Sequence, residues 1–236
     1  MHKKKIITIG PVSAQSEDMA SIASTLSFLD EDYDVDYLDS LSIMENVPNQ
    51  TYYELWKQKL TPCVNEYDAF LGFSFGGVII QQCFPLFATH LHKPIILFST
   101  PTFADTELIK KLGKVIQLCH EKKLEEALNA LYQPVFYPNP MPALSINTID
   151  EEQAYARLIF GLSRVLNTDS TTALQENTVE HTHLIGEYSD LVNKSNVAPP
   201  NNGHLEVVPK ASMRVLQDNP SFCQKVIMEI LNHEDH

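Results

Sequence analysis

Short runs of apolar, mostly β-branched residues alternate along the chain with longer segments whose apolar positions follow the helical period of 3.6 residues. This alternation is typical of a parallel sheet with helices on both of its faces. The last helical segment is preceded by Asn219 and opens with Pro220, a pair that indicates a helix start. The predicted helices are 17–28, 52–59, 76–89 and 220–231. The predicted strands are Lys5–Ile9, Val35–Leu38, Ala69–Phe73, Pro94–Ser99, Thr182–Gly186 and Leu205–Val208.

The alternation is interrupted once, by a stretch between the fourth and fifth strands that spans about 101–177. This stretch has helical patterns at 106–119, 124–131 and 151–166 and no strand pattern. An insertion of helices at one end of a sheet is typical of a lid over a binding site. No linker or low-complexity segment divides the chain, so we expect a single domain, 1–236, that carries this lid.

Composition removes several classes of partner. The formal net charge of -13 means that the average surface repels phosphate backbones and anionic lipid headgroups, so we expect neither nucleic acid nor a membrane as partner. The basic start is followed by an apolar run too short for a signal sequence or a membrane span, which predicts a cytoplasmic location. The four cysteines show no CxxC spacing, so we expect reduced thiols, no metal site and no cofactor.

The segment GFSFGG, residues 72–77, joins a predicted strand to a predicted helix and contains the pattern Gly-x-Ser-x-Gly. In that context the pattern predicts a sharp turn that strains Ser74 and leaves room only for small residues at Gly72 and Gly76. The N–H of Phe75, at the helix start, would then point toward the hydroxyl and stabilise an oxyanion. The alternative is a glycine-rich bend with a purely structural serine.

With this turn, the chain resembles the α/β-hydrolase fold over essentially its full length, in a minimal form that lacks the first antiparallel strands. The segment GEYSDLV, residues 186–192, is similar to the family's Gly-x-x-Asp-x-x-Val segment. The resemblance implies that Ser74 is a nucleophile and that Asp190 orients a base, although a turn aspartate is the alternative for Asp190. In size and lid, the chain resembles the esterases that release methyl pimeloyl-carrier esters in biotin synthesis.

The position of the catalytic base departs from the family's pattern. The family's histidine lies after the last strand, and that position falls on Met213, whose thioether cannot accept a proton at neutral pH. His204 follows Asp190 in a Gly-His pair and is the substitute candidate. It precedes the last strand, however, and a strand of this length spans about 15 Å, so we expect His204 at the far edge of the sheet. The same objection applies to four other histidines, which we expect at the surface or at strand edges. They are His90, His92, His181 and His183.

The predicted oxyanion loop departs as well, because Gly10 is followed by Pro11, which has no N–H. Val12 is the expected donor if the loop is shifted by one residue. These two departures leave the function open between a serine hydrolase of carboxylic esters or thioesters and an impaired pseudo-hydrolase that binds a small apolar ligand or a partner. A weaker third hypothesis is a lyase in which the serine only donates a hydrogen bond.

The predicted ligand is a small acyl ester or thioester, and an acyl carrier protein is a candidate partner if the lysines between 110 and 123 form one basic surface. The lid supplies apolar residues that are candidates for the acyl pocket. They are Phe103, Leu108, Leu112, Phe136, Leu158 and Phe160.

Overall fold

A single parallel sheet of six strands organises the computed structural model, which describes residues 3–88, 93–144 and 149–232. The strand order is β2-β1-β3-β4-β5-β6, and every neighbouring pair is parallel, which confirms the predicted fold class. The strands are β1 (Lys4–Ile9), β2 (Tyr33–Leu38), β3 (Ala69–Phe73), β4 (Ile95–Phe98), β5 (His181–Gly186) and β6 (Gly203–Val208).

Helices cover both faces of this sheet. The predicted helix over 76–89 is divided into two, and the second begins at Phe84 with Pro85 next to it, since proline has no N–H for the helical ladder. Asn219 caps the last helix, because its Oδ1 accepts from the N–H of Phe222 at 3.3 Å. The helices are α1 (Met19–Leu26), α2 (Asn49–Glu66), α3 (Phe75–Gln82), α4 (Phe84–Phe87), α5 (Thr106–His120), α6 (Leu124–Phe136), α7 (Glu151–Leu166), α8 (Thr171–Glu176), α9 (Val215–Asp218) and α10 (Pro220–Asn232).

Two apolar clusters, one on each face, explain why the central strands are continuous apolar runs. Trp56 of α2 and Phe70 of β3 are fully buried in the larger cluster, which also includes residues of α3 and α5–α7. Leu71, the next residue of β3, is fully buried in the other cluster with Ile227 of α10. Successive residues of a strand point to opposite faces, so a strand covered on both sides must be apolar at every position.

Helices α5–α8 lie between β4 and β5 in the chain, within the stretch where the sequence predicted an insertion. Helices α5, α6 and α7 contribute residues to a cavity at the carboxyl edge of the sheet. No helix among residues 3–88, 93–144 and 149–232 is both long enough and apolar enough to cross a membrane.

Candidate functional site

Ser74 lies at the turn between β3 and α3, with its backbone at φ 50° and ψ -110°. This positive φ is costly for a serine, so the turn is strained. Two backbone bonds hold it in place: the Ser74 N–H donates to the carbonyl of Phe98 at 2.9 Å, and the Ser74 carbonyl accepts from the N–H of Val78 at 3.1 Å. The strand, the strained serine and the helix therefore follow each other as the Gly-x-Ser-x-Gly pattern predicts.

The two glycines of the pattern allow the close approach of neighbouring backbone. A methyl group at Gly76 would lie 2.1 Å from the carbonyl oxygen of Ile9 in β1, and one at Gly72 would lie 2.7 Å from the Cα of Gly77. Both distances are far below van der Waals contact. Helix α3 thus packs directly against β1 and β3, and this packing aims the serine at the carboxyl edge of the sheet.

A cavity of about 530 Å³ opens beside Ser74, within the size range of small-molecule sites. Its walls are predominantly apolar and come from the loop after β1, the ends of β3 and β4, helices α5–α7 and the loop after β6. Of the predicted lining residues, Leu108, Leu112 and Phe136 line it. The others do not: Leu158 is fully buried in the core, and Phe160 packs edge-on against Tyr52. Phe103 is also absent from the walls.

The loop after β1 brings a free backbone donor to this cavity. Pro11 and Val12 both line it, and the Val12 N–H has no hydrogen-bond partner among the described residues. The Pro11 carbonyl accepts from the Ser40 hydroxyl at 3.0 Å, which fixes the loop to the end of β2. The first N–H groups of α3, including that of Phe75, have no partner within the helix. Of the two predicted donors, Val12 lies on the cavity wall, whereas Phe75 is fully buried and does not line the cavity.

A buried arginine of α7 holds the same loop. The Arg157 guanidinium donates to both carboxylate oxygens of Asp39 at 2.9 and 3.0 Å, and to the carbonyl and hydroxyl oxygens of Ser13 at 3.0 and 3.2 Å. Each of its hydrogen bonds is charge-assisted, and the pair with Asp39 is bidentate. The inserted helices are thereby tied to the loop that carries Val12.

Met213 lines the cavity together with Ser74, in the loop between β6 and α9. Two features fix this loop. The Ser99 hydroxyl donates to the Met213 carbonyl at 2.7 Å. The Ser212 carbonyl packs so closely on Gly186 that a methyl group added to this glycine would lie 1.8 Å from the carbonyl oxygen. The loop therefore crosses the carboxyl ends of β4 and β5. A thioether occupies the wall where the family resemblance implies an imidazole.

The described histidines do not reach the cavity. His204 is exposed at the second position of β6, paired with Thr182 near the start of β5, so it lies at the amino edge of the sheet while Ser74 lies at the carboxyl edge. His181 and His183 are buried in β5, which corrects the prediction of surface or strand-edge histidines. His90 and His92 lie outside the described residues.

His183 has a structural role. Its Nε2 accepts from the Thr100 N–H at 3.0 Å. Burial, followed by the charge of His181, lowers the pKa of His183 to about 3, so the ring stays neutral and can accept this bond. Neither ring belongs to the walls of the cavity.

The structure places the Asp190 carboxylate against a lysine and brings no histidine to it among the described residues. Lys111 Nζ of α5 lies 2.8 Å from Asp190 Oδ1 and donates to the Asp190 carbonyl at 2.8 Å. The Asp190 side chain is 42% exposed, and the residue is not part of the cavity wall, although Leu191 and Val192 are. The described structure thus shows an ion pair where the family resemblance implies a carboxylate–histidine pair.

Three charged residues that line the cavity were not predicted from the sequence, namely Glu17, Asp18 and Arg214. Burial raises the pKa of Asp18, and a hydrogen bond from the Gln15 N–H opposes that shift. The Asp18 side chain caps the helical turn before α1, and an acidic pair at a helix start is typical of a cap, so the sequence gives no signal of a cavity wall here. Within the described part of the chain, no group of three or more histidine, cysteine or acidic residues could hold a metal ion.

The arrangement can bind an acyl compound and orient its carbonyl. The Ser74 hydroxyl and the backbone N–H of Val12 meet a largely apolar cavity at the carboxyl edge. The described walls contain no imidazole to accept the serine proton. A serine hydroxyl without such a base is a weak nucleophile.

No protein-family model matches the sequence, and no curated protein matches it. Solved structures do match along nearly the whole chain. A bromoperoxidase from Bacillus anthracis has a TM-score of 0.73 and 11% identity over 98% of this chain and 92% of its own. MenH from S. aureus has a TM-score of 0.68 and 14% identity over 100% and 96%. An esterase from Exiguobacterium antarcticum has a TM-score of 0.69 and 14% identity over 96% and 91%. The α/β-hydrolase fold suggested by the resemblance is thereby confirmed.

Proposed function

We propose that this chain, built on an α/β-hydrolase fold, binds a small acyl ester or thioester beside Ser74 and uses the serine as a hydrogen-bonding group. The observation that carries the proposal is the shared cavity wall, on which Ser74 and Met213 both lie and to which no described residue contributes an imidazole. The described wall therefore has groups for recognition and no imidazole for turnover.

The walls favour an acyl chain with one carbonyl group. Apolar side chains of α5 and α6, such as Leu112 and Val135, would surround the chain, and burial of each CH₂ group contributes about 0.8 kcal/mol. The N–H group of Val12 and the hydroxyl of Ser74 are the donors on the wall that would bind the carbonyl oxygen. Oxygen acceptors are the natural partners of these donors.

Slow or absent turnover follows from proton chemistry. Attack by Ser74 needs a group that takes the hydroxyl proton, and general-base assistance accounts for about 10²- to 10⁴-fold in rate. The Met213 thioether cannot supply it. The Asp18 carboxylate already accepts a hydrogen bond from Gln15.

A serine hydrolase of carboxylic esters or thioesters is the second candidate, with Ser74 as nucleophile and a proton acceptor other than His204 and Asp190, neither of which lies on the cavity wall. The strained backbone at Ser74 favours it, because strain of this kind is concentrated at active sites. The cavity carboxyl of Asp18, whose pKa is raised by burial, would be the group to test as a proton acceptor.

A carrier-bound acyl chain also remains a prediction for the ligand. Three lysines of the proposed basic surface pair with carboxylates, Lys111 with Asp190, Lys122 with Glu152 and Lys123 with Glu121. These pairs reduce the positive charge that a carrier would meet.

One sample distinguishes the two candidates. Diethyl adipate, an uncharged diester, is titrated into the protein by calorimetry, and ethanol release is followed by NMR in the same solution. We expect binding without release above the spontaneous rate, and Ser74→Ala should weaken binding by about two- to tenfold, as for the loss of one hydrogen bond. Ethanol release that Ser74→Ala abolishes would establish the hydrolase instead. Absence of any binding would refute the ligand-binding proposal.

A further inference from the structure

The three arginines of the chain differ in how their charge is satisfied. Arg157 donates four hydrogen bonds, to Asp39 and Ser13. Arg164 donates three, to the side chain of Asn49 and to the carbonyls of Glu45 and Val47. Both guanidinium groups are thus held by acceptors from elsewhere in the fold, as expected for buried cations.
 
Arg214 is the exception. Arg214 is half-buried, yet no described carboxylate lies within 4 Å of its guanidinium group. No described acceptor receives a hydrogen bond from the guanidinium N–H groups either. The nearby Asp218 carboxylate accepts from the Ser212 N–H at 2.7 Å instead. Burial lowers the pKa of the Arg214 guanidinium from its usual value, and the charge of Asp218 opposes this shift.

The position of Arg214 makes its unused donors accessible to a ligand. The residue follows Met213 and lines the cavity that contains Ser74; among the described wall residues it is the one lysine, arginine or histidine. Its guanidinium carbon lies 4.0 Å from the centre of the Phe136 ring of α6, another wall residue. This cation–π contact holds the plane of the guanidinium, while its N–H groups remain free to form a fork with an anion.

The rest of the cavity wall indicates what kind of molecule would carry that anion. It is mainly apolar, and its two described carboxylates, Glu17 and Asp18, are themselves negative and would repel an anion elsewhere in the cavity. A single planar cation in such a wall matches a single planar carboxylate, because the two form parallel hydrogen bonds. It also provides local attraction in a chain whose net charge of -13 repels anions.

We propose that Arg214 is a specificity-determining residue and that the ligand is a monoanionic acyl ester, with an ester or thioester carbonyl at Ser74 and a free carboxylate bound by the guanidinium. This inference rests on the proposed function, since it assigns the charge of the ligand for the same cavity. It predicts that the cavity prefers a half-ester of a dicarboxylic acid to the corresponding diester.

The test compares monoethyl adipate with diethyl adipate, which differ by one ethyl group and one negative charge, by calorimetry at pH 7.5. We expect the monoester to bind about ten- to a hundredfold more tightly, as for one charge-assisted interaction. Arg214→Met should remove this preference, because it should weaken binding of the monoester far more than binding of the diester. Arg214→Lys should retain part of it, because the charge remains and the planar fork is lost.

Lys210→Met is the matched control, because it removes one positive charge from the same loop at an exposed residue outside the cavity wall. It should leave the preference intact, and thermal unfolding of all variants shows whether each still folds. Equal binding of the two esters by the unaltered chain, or a preference that survives in Arg214→Met, would overturn the role of Arg214 and leave the proposed function standing. If neither ester binds the unaltered chain, the proposed function fails and this inference fails with it.

Discussion

The two sides of the cavity differ in how completely they match a hydrolase site. On the side of β1 and β3, the strained Ser74, the close approach at Gly76 and the free N–H of Val12 are all present. On the side of β5 and β6, Met213 stands on the wall and the Asp190 carboxylate pairs with Lys111.

The difference shows which features the fold itself requires. A glycine at 76 is needed to pack α3 against β1, so the turn persists whether or not the protein catalyses a reaction. Nothing in the packing requires an imidazole at 213 or an unpaired carboxylate at 190. The serine turn, which the packing requires, and the residues that would transfer protons, which it does not, can therefore vary independently. This agrees with the rule that sites rather than folds carry function.

The largest effect on stability is expected from Gly76→Ala, on the β1–β3 side of the cavity that matches a hydrolase site. The added methyl group would meet the Ile9 backbone at 2.1 Å, and backbone cannot move aside as a flexible side chain can. We expect the free energy of unfolding to fall by about 3 kcal/mol or more. Urea denaturation measures this change.

Gly113→Ala is its matched control, because Gly113 is also helical and a methyl group there meets nothing within 4 Å. That change should stabilise the protein by about 0.5–1 kcal/mol. Equal effects of the two substitutions would show that the close packing of α3 on β1 is not a constraint.

Met213→His should make the β5–β6 side of the cavity match a hydrolase site more completely. An imidazole on the wall would give Ser74 a proton acceptor, and we expect hydrolysis of p-nitrophenyl butyrate to rise by about 10²-fold, equivalent to about 2.7 kcal/mol of barrier. Met213→Leu, which has similar volume and no basic nitrogen, should not change the rate. A histidine variant no faster than the leucine variant would mean that position 213 is not a vacated base position.

Ser74→Gly tests whether the matching side stores backbone strain. Glycine adopts positive φ without the penalty that serine incurs, and part of this gain is lost to the greater freedom of glycine in the unfolded chain. We expect a net stabilisation of about 1 kcal/mol by urea denaturation. Ser74→Ala retains the Cβ atom and should show no such gain; if it stabilises equally, the effect does not come from φ 50°.

The smallest effect is expected from Lys111→Met, which breaks the pair with Asp190. The two side chains are 25% and 42% exposed, so solvent screens the interaction, and we expect a loss of about 0.5 kcal/mol. Urea denaturation again provides the measurement, with Lys110→Met on the same helix as control. A loss above about 2 kcal/mol would mean that the pair anchors the β5 loop far more strongly than its exposure indicates.

The sequence predicted the sheet and the serine turn because both depend on local patterns. Apolar runs specify buried parallel strands, and Gly72, Ser74 and Gly76 specify a turn through residues only two positions apart. The predicted strand begins at Leu205, whereas β6 begins at Gly203 and includes His204. Its place near the start of the strand was still sufficient to predict that it lies at the opposite edge of the sheet from Ser74, because strands have a fixed length per residue.

The partners of the charged side chains depend on long-range geometry and could not be predicted in this way. Lys111 meets Asp190 from 79 residues away, and Arg214 stacks on Phe136 of a different helix. In the sequence, Arg214 is one basic residue beside a methionine. Only the arrangement of α6 against the β6 loop reveals that it lines the cavity and donates to no described acceptor. Asp18 has the sequence pattern of a helix cap and does act as one, so its second position, on the cavity wall, could not be predicted either.

The most direct test of the central claim is the rate at which a fluorophosphonate probe labels Ser74, because this reaction requires an activated serine and no knowledge of the natural ligand. Labelling is followed by mass spectrometry from mildly acidic to alkaline pH, with Ser74→Ala as background. We predict that the unaltered chain is labelled no faster than Ser74→Ala and that Met213→His is labelled faster than both. Labelling of the unaltered chain that disappears in Ser74→Ala would contradict the account, because it would show that Ser74 already has a base.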